Sequence, residues 1–155
     1  MHKKGLKGFT LIELIVVIAI IAVLAGILIP LLMGYVTKAS LRTANKNAKD
    51  IANYSTALMA DYEKDEIFIT SHTGNYTADE TNQNSNFDET AFKAEIEKMA
   101  GLHSGSVWGI QIENNDVKST YWAKEADSKY VGTWPNEASK KGEPTINNAL
   151  SFAVQ

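Results

Sequence analysis

The sequence of 155 residues contains no cysteine. This absence excludes a disulfide framework, a thiolate metal site, a cysteine nucleophile and a lipidated cysteine. Positive charge is also scarce, because 15 lysine and arginine residues are set against 18 acidic residues and the net charge is −3. We therefore predict no specific nucleic-acid partner. The length allows one modest globular domain and an appendage.

The residue types that usually carry catalysis or bind metals form no constellation in this sequence. His2, His72 and His103 show no metal-ligand spacing, and we expect the latter two to lie on the surface in polar loops. The run SGS at 104–106 lacks the flanking glycines and the strand-to-helix context of a nucleophile elbow. The paired acids at 79–80 and 88–89 lack EF-hand spacing. We predict no enzymatic activity, no cofactor and no metal site.

What the sequence has in abundance is apolar residues at its start, in positions 9–33, where only Thr10 and Glu13 are clearly polar. As a helix, about 25 residues extend about 38 Å, enough to cross a hydrocarbon core of about 30 Å. A secretory signal peptide is the alternative, but its apolar part is about 7 to 15 residues long and ends in an A-x-A-like site. This run is longer and its end at Ile29-Pro30 is a poor cleavage site. We predict a single membrane-spanning helix.

Glu13 is unusual inside an apolar run, because a carboxylate near the middle of a bilayer costs about 2.5 to 3.5 kcal/mol on insertion scales. Phe9 precedes it by one helical turn. An amino terminus created at Phe9 would therefore lie on the same helix face and carry the opposite charge. The alternative is an interfacial Glu13 whose carboxylate reaches the headgroups.

Residues 7–13, KGFTLIE, carry this pattern, with lysines before them and an aliphatic run after them. In kind and position they closely resemble the class III signal peptide of type IV prepilins. The resemblance implies that a prepilin peptidase cleaves between Gly8 and Phe9 and that Phe9 becomes the N-methylated terminus. It also implies that Glu13 neutralises the Phe9 amine of a neighbouring subunit during assembly.

The same resemblance implies a location and partners. The positive-inside count alone does not decide the orientation, because lysine and arginine flank the apolar run on both sides. By resemblance, the leader lies in the cytoplasm and the precursor is a single-pass protein of the inner membrane, later incorporated into an extracellular pilus. The implied partners are the prepilin peptidase, the pilus assembly machinery, minor pilins and further copies of this chain in a helical filament.

Gly26 and Pro30 form a predicted weak point in the helix. Pro30 cannot donate a hydrogen bond to the carbonyl of Gly26, which is itself a poor helix former. We expect a kink or a locally melted turn at this point. The expectation resembles what pilins show in filaments, where helical structure is lost around the matching Gly-to-Pro stretch. An ordinary proline kink is the alternative.

Beyond residue 33 the helical pattern continues as an amphipathic segment, with apolar positions spaced by three and four. The apolar stripe comprises Leu41, Ala44, Ala48, Ile51, Ser55, Leu58, Met59 and Tyr62. Nearly opposite lies a basic stripe of Lys38, Arg42, Lys46 and Lys49. We expect the apolar stripe to pack on a globular head. The basic stripe is either a solvated face or a surface that pairs with acidic groups of adjacent subunits, such as Asp61, Glu63, Asp65 and Glu66.

The remaining residues predict a small α+β head. Residues 63–88 are polar and predict mainly loop, with a short strand at 67–69. Residues 92–100 predict a helix, capped by Asp88 and ended by Gly101. A hairpin should follow, with strands around 108–113 and 117–122. Its turn lies at 114–115 or at 115–116, and either turn pairs Ile110 and Ile112 with odd-numbered residues of the second strand. The second turn would place Glu113 opposite Lys118.

Two further strands are predicted at 130–134 and 150–154. The fold class is therefore α+β, a long N-terminal helix, half transmembrane and half amphipathic, packed on a small antiparallel sheet, which resembles the ladle shape of pilins. The three tryptophans are expected to pack on the sheet. Because the C-terminal cysteine pair of many pilins is absent, another interaction must anchor the final segment.

The predicted organisation is a cleaved leader at 1–8, a transmembrane and polymerisation helix at 9–33, an amphipathic helix at 34–62 and a head at 63–155. The predicted function is that of a structural subunit of a type IV pilus. The alternatives are a pseudopilin of a type II secretion or competence system and a membrane-tethered binding domain. Motility, adhesion and DNA uptake are not distinguished by these residues.

Overall fold

The computed structural model describes residues 8–65, 67, 69, 71–77 and 88–155. It is an α+β protein, as predicted, in which a long N-terminal helix packs on a four-stranded antiparallel sheet. In chain order the elements are α1 (Leu11–Lys64), β1 (Ser71–Thr77), α2 (Glu89–Ala100), β2 (Val107–Glu113), β3 (Asp116–Ala123), β4 (Val131–Trp134), a 3-10 turn (Ile146–Asn148) and α3 (Ala149–Ala153).

The chain divides into two compact units, residues 1–37 and residues 38–155. In the first unit, the described residues are the three that precede α1 and the apolar part of α1 itself. The second unit contains the rest of α1, the sheet, α2 and α3.

The sheet has the simple order β1-β2-β3-β4, with every neighbouring pair antiparallel. The prediction of loop for most of residues 63–88 is wrong at β1, which pairs with β2 over its whole length, for example Gly74 with Ile110. This strand is too polar for its own sequence to indicate it, and its pairing with β2 decides its conformation. Of the strand predicted at 67–69, Ile67 and Ile69 lie outside regular structure, and Phe68 is outside the described residues.

The β2–β3 hairpin turns at Asn114 and Asn115, whose φ angles are +53° and +58°, as a two-residue turn of the primed type requires. This is the first of the two predicted turns. Asparagine suits both positions because it tolerates the left-handed region better than most residues.

A β-bulge then shifts the register of the hairpin by one residue, between Gln111 and Ile112. Ile112 pairs with Val117 as predicted, but Ile110 pairs with Thr120, so its predicted pairing with an odd-numbered residue is wrong. Lys118 is not opposite Glu113. Its ammonium instead lies 2.5 Å from a carboxylate oxygen of Asp116.

Because of the bulge, Val117 and Trp122 of β3 lie on the same face, and Tyr121 and Ala123 lie on the other. On one face, Trp122 joins the core between the sheet and helices α1 and α2, together with Trp108 and Ile110. On the other face, Tyr121 and Ala123 form a second cluster, with Val107, Val131 and Ala149 of α3. The strand predicted at 150–154 is therefore wrong, because this end of the chain forms helix α3 and covers the second face.

Helix α2 has the ends that its sequence predicts. The Asp88 carboxylate accepts a hydrogen bond from the backbone N–H of Ala91 at 3.0 Å, and Gly101 ends the helix with a φ of +61°. The strand predicted at 130–134 is confirmed as β4, which begins one residue later.

Candidate assembly and processing site

The N-terminal end of α1 is built by a reciprocal cap between Thr10 and Glu13. The backbone N–H and the hydroxyl of Thr10 donate hydrogen bonds to Glu13 Oε2 at 2.8 and 2.7 Å. The backbone N–H of Glu13 donates in return to the Thr10 hydroxyl oxygen at 3.3 Å. This is the geometry of a capping box, which satisfies two of the N–H groups that a helix start leaves unpaired. This role of Thr10 was not among the predictions from the sequence.

The cap also places the Glu13 carboxylate at the positive end of the helix dipole. An isolated carboxylate in an apolar run therefore has a local partner in the monomer. A cation brought close to this helix end would meet a carboxylate that is already oriented.

Gly8 and Phe9 precede the helix and lie outside regular secondary structure. Phe9 is 91% exposed, and Gly8 is exposed as well. The peptide bond between them is thus an accessible bond at the boundary of a helix, the kind of segment that a peptidase can bind in an extended form. The residues before Gly8 are outside the described part of the chain.

The surface of α1 up to Val36 is almost entirely apolar and uncovered. Every large apolar side chain from Phe9 to Val36 is exposed, most of them by more than half. Among the described residues, α1 is the one helix long and apolar enough to cross a membrane, with an 18-residue window of mean hydropathy 3.2 and none of it buried. This surface requires lipid or other apolar helices around it.

Gly26 and Pro30 lie within this part of α1, and the helix runs from Leu11 to Lys64 without an interruption. Pro30 supplies no N–H, so the Gly26 carbonyl loses its intrahelical donor. The melting of this turn during assembly stays a prediction.

Farther along α1, both predicted stripes are confirmed. Six members of the apolar stripe are buried and two, Leu58 and Tyr62, are partly buried against the core, while all four basic residues are exposed. The helix approaches β4 so closely that a Cβ at Gly132 would collide with the backbone of Ala44 and Asn45. The Thr120 hydroxyl donates to the carbonyl of Ala48 at 2.7 Å.

Asn45 anchors the segment after β4 to the helix, a role that the sequence analysis missed. Its buried side-chain oxygen accepts hydrogen bonds from the backbone N–H groups of Thr133 and Ala138, at 3.1 and 3.2 Å. Its amide nitrogen donates to the Ala138 carbonyl at 2.8 Å. The only signal in the sequence is a polar residue directly beside the apolar stripe. Asn45 thus joins α1 to β4 and to the residues directly after it, whereas the final segment is held through the contacts of α3 with the sheet.

A second set of interacting polar side chains lies between β1, α2 and β2. His72 Nε2 is 3.7 Å from Glu89 Oε1, and Lys93 Nζ is 3.9 Å from Glu97 Oε1, which also accepts from the Trp108 indole N–H at 3.1 Å. The prediction that His72 lies on the surface is wrong, since the residue is only 8% exposed. Burial lowers the pKa of His72, and the Glu89 carboxylate opposes that shift. His103 is exposed as predicted.

Trp108 and Trp122 are buried in the core, and Trp134 packs against it, as expected for tryptophans on the sheet. Within the described ranges, no group of three or more histidine and acidic side chains is arranged to hold a metal ion.

The arrangement of a long apolar helix packed by its second half on a four-stranded antiparallel sheet is pilin-like. The family model described as the prokaryotic N-terminal methylation motif matches residues 3–29 of this chain. The chain therefore carries the class III signal peptide of type IV pilins and pseudopilins. No curated protein and no solved structure matches the chain.

Proposed function

We propose that this chain is the precursor of a structural subunit of a type IV pilus. The observation that carries the proposal is the methylation motif at residues 3–29, which includes an accessible Gly8–Phe9 bond directly before an apolar helix. The precursor spans the inner membrane with its leader in the cytoplasm, and the mature subunit enters an extracellular filament with other copies.

The first step is hydrolysis of the Gly8–Phe9 amide by a prepilin peptidase, which leaves a carboxylate on Gly8 and a free amine on Phe9. The leader takes away Lys3, Lys4 and Lys7, so the formal net charge of the chain changes from −3 by three units to −6. N-methylation of the Phe9 amine follows.

The second step is polymerisation through the apolar part of α1. Its exposed surface leaves the lipid and packs on the same surface of other copies, so the apolar area stays out of water throughout. The Phe9 amine of one subunit pairs with Glu13 of its neighbour, which relieves the cost of both charges in an apolar setting. Thr10 holds the Glu13 carboxylate at the helix end until that amine arrives.

The processing step is tested by co-expression of the full chain with a prepilin peptidase, followed by N-terminal sequencing and intact-mass measurement. The expected product begins at Phe9. Gly8→Val should block cleavage because it places a branched side chain on the residue that carries the scissile carbonyl. Gly5→Val, in the leader, should be cleaved normally. A product that begins at another residue, or equal cleavage of both variants, would contradict the proposal.

The assembly step is tested with Glu13→Gln, which keeps the size of the side chain and removes its charge. We expect this variant to reach the membrane and to be processed, but to enter filaments poorly. Glu95→Gln, at an exposed position of α2, is the matched control and should assemble normally. Normal incorporation of Glu13→Gln would refute the charge pairing.

Microscopy of cells with an antibody to the head separates the pilus from the alternatives. Long labelled surface fibres support the pilus. Fibres that form only when a secretion or DNA-uptake system is overproduced would assign a pseudopilus, and uncleaved monomer alone in the membrane would indicate a tethered binding domain.

A further inference from the structure

The charge of α1 changes abruptly where its apolar run ends. Residues 14–37 carry no charged side chain, and the next residue along the chain is Lys38. Arg42 follows one helical turn later, and both side chains are exposed. Residues four apart lie on the same face of a helix, with their Cβ atoms about 5 to 6 Å apart. These two cations therefore form a close pair directly beyond the apolar run, called the Lys38–Arg42 pair below.

The Lys38–Arg42 pair is not neutralised within the subunit. Among the residues that the structure describes, neither member forms an ion pair, whereas Lys46, one turn farther along, pairs with Asp50 at 2.5 Å. Asp50 is the first acidic residue after Glu13 in the sequence. Like charges four residues apart on a helix repel each other. The pair would therefore be stabilised by an anion from outside the subunit.

The length of the uncharged run determines how far the pair lies from the hydrocarbon core of a bilayer. As a helix, residues 14–37 extend about 36 Å, so a centred core of about 30 Å leaves about 3 Å at each end. Lys38 is the next residue, and Arg42 lies about 6 Å farther along the helix. Helical side chains tilt toward the N-terminus, which here is the direction of the bilayer. Both cations can therefore reach the headgroup layer, which is about 5 to 8 Å thick on each side.

We propose that the Lys38–Arg42 pair binds the phosphate of an anionic phospholipid, in the leaflet nearer to residue 38. The guanidinium donates two parallel hydrogen bonds to phosphate oxygens, and the ammonium adds a point charge beside them. A lipid with net negative charge, such as phosphatidylglycerol, neutralises the pair. Phosphatidylcholine carries a cation of its own and has no net charge to offer. The inference goes beyond the proposed function, because it requires only that the apolar part of α1 crosses a bilayer.

The test uses the full chain at one copy per nanodisc, so that no second copy can neutralise the pair. Because the chain has no native cysteine, Ala39→Cys, at an exposed position between the two cations, accepts a single fluorophore. A small fraction of the lipid carries a nitroxide high on its acyl chain. This lipid is phosphatidylglycerol in one series and phosphatidylcholine in the other. The nitroxide quenches by contact, so only lipid beside residue 39 reports.

We expect phosphatidylglycerol to quench at a mole fraction about 25-fold lower than phosphatidylcholine, because each cation near the surface contributes about fivefold. Lys38→Gln and Arg42→Gln should each reduce this preference about fivefold, and the double variant should abolish it. Arg42→Lys keeps the charge and should reduce the preference by less than about twofold. Tryptophan fluorescence, measured on every variant, reports whether the head is folded.

Lys49→Gln is the matched control, because it removes one exposed positive charge from the same face of α1. Lys49 lies about 16 Å farther along the helix than Lys38, beyond the reach of the headgroups, so its loss should leave the preference unchanged. Equal quenching by the two lipids in the wild-type chain, or a preference that survives in the double variant, would overturn the inference. An equally large effect of Lys49→Gln would also overturn it, since the whole basic stripe would then attract the lipid. Cleavage of the leader and filament formation do not enter this test, so failure of the proposed function would not change its outcome.

Discussion

Replacement of Asn45 by alanine tests how the helix holds the C-terminal part of the head. The substitution leaves the N–H groups of Thr133 and Ala138 and the carbonyl of Ala138 without their partner in a buried setting. Each buried unsatisfied group costs about 1 to 3 kcal/mol, and alanine returns about 0.5 kcal/mol through its higher helix propensity. With some relaxation and entry of water, we expect the free energy of unfolding to fall by about 2 to 4 kcal/mol, a large part of the usual total of about 5 to 15 kcal/mol.

Urea unfolding of the full chain in detergent micelles measures this loss. Tryptophan fluorescence is a suitable probe, because all three tryptophans lie in the sheet region and Trp108 and Trp122 are buried. Asn53→Ala, an exposed asparagine on the same helix, is the control and should change the unfolding free energy by less than about 0.5 kcal/mol. Equal effects of the two substitutions would refute the anchoring role of Asn45.

Three further changes test other parts of the head by the same measurement. Gly132→Ala should destabilise by about 3 kcal/mol or more, because the added Cβ meets helix backbone that cannot move aside, and a loss below about 1 kcal/mol would contradict that close approach. Asp88→Ala removes the cap of α2 and should cost about 1 kcal/mol, and an unchanged stability would argue against the cap. The pKa of His72 is lowered in the folded state, so below its unfolded value of about 6.5 the unfolded chain binds the proton more readily. Stability should therefore fall as the pH drops from 7 to 5. His72→Gln should flatten this dependence, while His103→Gln, at an exposed position, should leave it unchanged. An equally steep dependence of stability on pH in His72→Gln would contradict the role of His72.

The local features of the head could be predicted from its sequence because each depends on residues close together in the chain. Helix α2 begins at Asp88 and ends at Gly101, where a side-chain cap and a left-handed glycine satisfy the helix ends. The β2–β3 turn lies at two asparagines that tolerate positive φ. The apolar stripe of α1 follows from the helical period alone.

Other features of the head depend on residues far apart in the chain. Strand β1 is polar and becomes a strand because β2 offers it a partner. The bulge after Val117 decides which face Tyr121 and Ala123 occupy, and no spacing in the sequence reveals it. The second apolar face that results is what α3 covers, so the C-terminal residues form a helix where alternation predicted a strand.

By itself, the sequence determined the N-terminal signal, the apolar helix and the α+β class, because these rest on a short motif, a run of apolar residues and a regular period. The tertiary structure alone decided that Asn45 and Gly132 join the helix to β4, and that His72 is buried beside Glu89. Hydrogen bonds and close packing of this kind depend on where side chains and backbone meet in space. Composition and periodicity do not contain that information.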